Sequence, residues 1–137
     1  MARLLVVEDE PNIAEIILFK LRREGHEVTH VESAAEGGAL TGPWDLVLLD
    51  SSLPGEDALQ ALEALGMLAP VAVMTESRDT TTAPLAREAG ACAIVPKPFK
   101  PTLLARLVLE ITSGKGDANH SIAAASPGLI ADMETAL

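Results

Sequence analysis

The chain is 137 residues long, a size that suits one domain with a substantial core, and 48% of it is hydrophobic. A formal net charge of −10 and very few aromatics (two Phe, one Trp, no Tyr) argue against duplex DNA, anionic lipid or stacked single-stranded nucleic acid as a direct partner. No apolar run approaches the length of a membrane span, and the single cysteine, Cys92, excludes an internal disulfide and fits a reducing, cytoplasmic setting.

The opening "MARLLVVEDE" reads as a strand running into acids and not as a secretory leader. Its apolar run, "RLLVV" at 3–7, is short and does not alternate, which is the pattern of a strand buried on both faces of a parallel sheet. The strand meets Glu8, Asp9 and Glu10 at once. Like charges packed at one strand end raise each other's pKa, so such acids are either solvated or matched by a cation. Residues 11–24 begin at Pro11, stop at Gly25 and put Ile13, Ile16, Ile17 and Leu21 on one helical face. Leu18 falls off that face and, beside Phe19, is expected to leave a small apolar patch exposed.

A weaker strand, "HEVTHV" (26–31), and a short helix at 33–40 follow. "DLVLL" (45–49) is a second unbroken apolar run and ends at Asp50; the Ala- and Leu-rich stretch 56–65 reads as the next helix. "VAVMT" (71–75) is a strand ending in Thr75. Pro84 then delays the following helix, so "SRDTTTAP" (77–84) is expected to be loop or frayed turn, with helix only just before Gly90. "CAIVP" (92–96) is the fifth strand and leads to Lys97. The last helix, 101–112, repeats Leu103, Leu104, Leu107, Val108 and Ile111. Cys92 reads as a small buried residue, and His26, His30 and His120 lack metal-ligand spacing. From Ser113 the composition changes to a flexible linker, "SGKGDANHS", and an Ala-rich tail, so the expected division is a folded unit at 1–112 and a linker with C-terminal tail at 113–137.

Five strand–helix alternations imply an α/β fold, a doubly wound five-stranded parallel sheet with helices on both faces. Such sheets bind ligands outside the carboxyl ends of their strands. Glu8 and Asp9, Asp50, Thr75 and Lys97 all fall at that edge while the strand interiors stay apolar. Three carboxylates in one cleft suit a hard divalent cation such as Mg²⁺. A hydroxyl and an ammonium facing the same cleft suit phosphoryl oxygens, and a central aspartate can accept a phosphoryl group as an acyl phosphate.

At these residues the chain resembles the response-regulator receiver family of two-component signalling. "VVEDEPNI" is similar to the family's acidic strand end, "LVLLDSSLPGED" to its phosphoacceptor loop, "VAVMT" to its threonine strand and "VPKPF" to its Lys-Pro signature, in the family's order and over roughly residues 1–112. The resemblance implies a flavodoxin-like sheet with Asp50 phosphorylated by a histidine kinase or histidine phosphotransfer protein. It implies Mg²⁺ held by Glu8, Asp9, Asp50 and the carbonyl of Ser52, phosphoryl oxygens held by Thr75 and Lys97, and a cis Lys97–Pro98 peptide. It also implies a downstream protein or a separate output domain as the receiver of the signal, and it is compatible with a homodimer.

Three positions depart from the family pattern. Glu76 follows the threonine where a small residue is usual, Ile94 stands where an aromatic switch residue is usual, and Pro84 interrupts the helix after the threonine strand. These changes leave the acidic cleft intact and alter the face that reports phosphorylation. A competing reading is therefore an interaction module that keeps the fold and works without phosphorylation. A flavin-binding electron carrier of the same topology is excluded, because its first loop would have to welcome a phosphate and this one is acidic.

Overall fold

A computed structural model describes residues 1–113. The five strands are β1 (Arg3–Val7), β2 (Glu27–Val31), β3 (Leu46–Asp50), β4 (Val71–Glu76) and β5 (Ala93–Lys97). They alternate with helices α1 (Pro11–Arg23), α2 (Ala34–Ala39), α3 (Ala58–Gly66), α4 (Thr82–Glu88) and α5 (Pro101–Thr112). All strand pairings are parallel and the sheet order is β2-β1-β3-β4-β5. Helices α1 and α5 pack together on one face, and α2, α3 and α4 form a row on the other. The doubly wound parallel sheet expected from the alternation, flavodoxin-like as the resemblance implies, is the fold observed.

The unbroken apolar runs explain the layering. Leu4 to Val7 and Leu46 to Leu49 have no measurable exposure, because each side chain along these central strands meets a helix layer on its own face. The edge strand β2 has one neighbour only, and there Glu27 is exposed and Thr29 and His30 are half-buried. Helix α5 buries Leu103, Leu104, Leu107 and Val108, with Ile111 packed at the margin.

Local chemistry sets the helix ends. Ser33 caps α2 by accepting from the Glu36 amide at 3.1 Å, and its hydroxyl also lies 3.2 Å from the Glu36 carboxylate. Asp57 caps α3 through two amides, those of Leu59 and Gln60. Helix α1 ends in a turn through Gly25, whose φ of 94° is strained for any residue with a Cβ. The Lys97–Pro98 peptide is cis, as is Gly42–Pro43, which the sequence did not suggest.

Two local expectations are corrected. In α1 it is Ile16, at 50% exposure, that leaves the core face; Leu18 is half-buried against the core. Helix α1 carries apolar residues almost all round between Ile13 and Phe19, so its periodicity alone does not say which side α5 and β2 will cover. Helix α4 starts at Thr82, two residues before Pro84. Proline is tolerated there because a first-turn N–H has no intrahelical acceptor to lose. Asp79 replaces a helix cap, accepting from the amides of Thr81 and Thr82 at 3.0 Å each. The linker and Ala-rich tail expected beyond Ser113, with His120, lie outside the described residues.

Candidate functional site

The parallel register brings the strand ends level. Val7 pairs with Leu49, Asp50 with Met74, Thr75 with Pro96 and Glu76 with Lys97. The next residues on each strand therefore meet at one edge of the sheet, and Glu8, Asp50, Thr75 and Lys97 are the charged or hydroxyl side chains buried there, none more than 4% exposed.

Lys97 holds the centre. Its ammonium donates to Glu8 Oε1 at 2.7 Å and to Asp50 Oδ1 at 3.1 Å. Asp9 is half-buried beside them, and ligand oxygens of Glu8, Asp9 and Asp50 all lie within 4.8 Å of one another. Glu10, the third acid of the opening cluster, is exposed. Ser52 closes the other side: its amide and its hydroxyl each approach Asp50 Oδ1 at 3.3 Å. Thr75 stands one strand further on, buried at the end of β4.

Burial and shared protons separate the two central acids. Burial first, and then the hydrogen bond with Asp50, push the Glu8 carboxyl up to about 7. Burial acts on Asp50 in the same sense, but the hydrogen bond from Glu8 and the nearby Lys97 ammonium outweigh it and hold Asp50 below the usual aspartate range. Lys97 is depressed by burial and raised more strongly by the two carboxylates, so it stays charged. The two shifts oppose each other, favouring the charged form of Asp50 and the protonated form of Glu8. The donor set is all hard oxygen and carries excess negative charge, which fits Mg²⁺ and not a thiolate- or imidazole-seeking metal.

Sequence reasoning missed three supporting contacts. His30 Nε2 lies 2.7 Å from the Glu8 carbonyl and pins the first loop to the edge strand. Ser77 donates its amide and its hydroxyl to the Lys97 carbonyl, holding the end of β5. Glu56 accepts from the Ala34 amide at 3.0 Å and ties the loop after Asp50 to the start of α2. Each joins residues 20 or more apart in the chain. Only the presence of a polar residue, in a loop for Glu56 and Ser77 and on the edge strand for His30, hinted at them.

This architecture and edge are those of the receiver domain. Residues 4–109 match the response regulator receiver domain family, and the chain belongs to that family, the phosphorelay module of two-component response regulators. It is 38% identical over 112 residues to the DNA-binding response regulator MtrA of Mycolicibacterium smegmatis, covering 77% of this chain and 48% of MtrA. It is 36% identical over 113 residues to the phosphate regulon transcriptional regulatory protein PhoB of Klebsiella pneumoniae, covering 77% of this chain and 49% of PhoB. The chain thus spans about half the length of these curated relatives. Among solved structures it superposes on the Francisella response regulator 1452 receiver domain with a TM-score of 0.76 at 22% identity, over 85% of this chain and all of that one. No helix among the described residues is long and apolar enough to cross a membrane.

Proposed function

We propose that Asp50 is the phosphoacceptor of this receiver domain, charged by a histidine kinase or a histidine phosphotransfer protein. The observation that carries the reading is the setting of Asp50: buried at the carboxyl edge of the sheet and hydrogen-bonded to a lysine that is itself buried. One Asp50 carboxylate oxygen attacks the phosphorus of a phosphohistidine. An O–P bond forms as the P–N bond breaks, and the departing imidazole takes up a proton. Lys97 and the Thr75 hydroxyl then hold the phosphoryl oxygens, while Ser52 orients Asp50 through its amide. Glu8, Asp9, Asp50 and the Ser52 carbonyl would hold Mg²⁺, whose charge offsets that of the phosphoryl group. Hydrolysis of the acyl phosphate by the same site resets the domain.

The same reading places the protein in the cytoplasm and makes residues 1–112 the receiver, with 113–137 linking it to an output. That output is a following DNA-binding domain, as in the curated relatives, or a separate downstream protein. A small acyl-phosphate donor with Mg²⁺ should add one phosphoryl mass to the protein, and chelation should abolish the gain. An unmodified protein under conditions that label other receivers would instead favour the phosphorylation-independent interaction module.

A further inference from the structure

Strand β4 is buried from Val71 to Thr75 and opens to solvent at its last residue, Glu76. Neighbouring side chains on a strand point to opposite sides, so Thr75 turns into the cleft while Glu76 leaves it at the rim. The Glu76 side chain nevertheless comes back to the cleft loop. Its Oε1 accepts a hydrogen bond from the Ser52 hydroxyl at 3.4 Å, and that hydroxyl also lies 3.3 Å from Asp50 Oδ1. A serine hydroxyl has one hydrogen and serves one of the two carboxylates at a time. Glu76 is therefore linked to the nucleophile through a single side chain.

The surrounding charge does not neutralise it. Glu10 borders the same groove as Glu76, and the ammonium of Lys97 is engaged by Glu8 and Asp50. Arg78 and Lys97 line the adjoining hollow together with Glu76, Ser77 and Asp79, but neither cation pairs with Glu76, which has no ion pair among the described residues. An incoming phosphoryl donor is an anion and meets this carboxylate at the rim of the cleft that holds Asp50.

We infer that Glu76 is a determinant of donor specificity, selecting against phosphoryl donors in proportion to their negative charge. The inference rests on Asp50 being the phosphoacceptor and adds a property that the acidic site alone does not require. For charges separated by several Å of water, the Coulomb penalty amounts to roughly a threefold loss of rate per donor charge, hence about tenfold for a dianion. The penalty is screened by salt.

The test compares wild type with Glu76→Gln, which keeps the size and the hydrogen-bond acceptor and removes the charge. Two small donors are used at low ionic strength and fixed free Mg²⁺: acetyl phosphate, a dianion near neutral pH, and phosphoramidate, a monoanion. Glu76→Gln should speed labelling by acetyl phosphate about tenfold and by phosphoramidate about threefold, with both gains shrinking in high salt. Equal gains with both donors, or none, would overturn the inference and leave Asp50 as phosphoacceptor untouched. Absence of labelling in every protein with either donor would overturn the phosphoacceptor reading itself.

Discussion

Glu8 is the residue whose chemistry is furthest from ordinary. A glutamate with no measurable exposure, raised to about 7, keeps in the folded state a proton that the unfolded chain releases near 4.5. The folded protein binds the extra proton between those values, so stability falls as pH rises through that window, by on the order of 3 kcal/mol at most. Without divalent cation, the melting temperature should therefore drop between pH 5 and pH 8, and Glu8→Gln should flatten the drop. A wild-type profile that rises over the same window would mean that the Lys97 ion pair dominates Glu8 and that burial does not. The positions of Glu8, Asp50, Thr75 and Lys97 were legible in the sequence because each follows an apolar run of known direction. The insertion of the Lys97 ammonium between Glu8 and Asp50 was not, since it joins residues 89 and 47 positions apart through the register of four strands.

Among the secondary elements, α4 carries the main departure. It is seven residues long, buries only Ala86, and begins on a loop organised by Asp79. Asp79 also accepts from both threonine hydroxyls, and these bonds hold its carboxyl well below the usual range. Replacing Asp79 by Ala should raise amide exchange across 82–88 while leaving the protection of β1 and β3 unchanged, because a short helix with little buried surface opens on its own. Loss of protection in the central strands would show α4 to be part of the global folding unit. The sequence signalled the late start of this helix through Pro84 but placed the start too far along, since proline is excluded from a helix interior and accepted in its first turn. The strands fared better: central parallel strands are buried on both faces and so read as unbroken apolar runs, whereas the exposed side of α1 depends on how α5 and β2 flank it.

For the molecule as a whole, the question is which surface reports the state of the cleft. Ile94 is 2% exposed within β5, so it has no exposed position from which to swing inward as an aromatic ring would. The exposed apolar surface next to the site lies elsewhere. Ile16 on α1 stands with Ile13, Phe99 and Pro101 along a groove of about 330 Å³ that reaches Glu76 and Lys97, and the exposed Phe19 shares a neighbouring hollow with Ile16 and Pro101. We expect partner recognition on this side, adjacent to the chemistry. Amide exchange with a beryllofluoride phosphate mimic should then show new protection in the cleft loops around 51–57 and 98–100 and little change at 82–95. Strong protection confined to 82–95 would show that the β5 side transmits the signal despite Ile94.

The claim beneath all of these is that Asp50 carries the phosphoryl group. Borohydride reduces an aspartyl phosphate to homoserine, which marks the modified position permanently in a peptide map. After treatment with acetyl phosphate and Mg²⁺, homoserine should appear at position 50 in the wild-type protein, with no converted residue in Asp50→Asn. Conversion at Asp9 or another carboxylate, or phosphoryl mass that persists in Asp50→Asn, would contradict it.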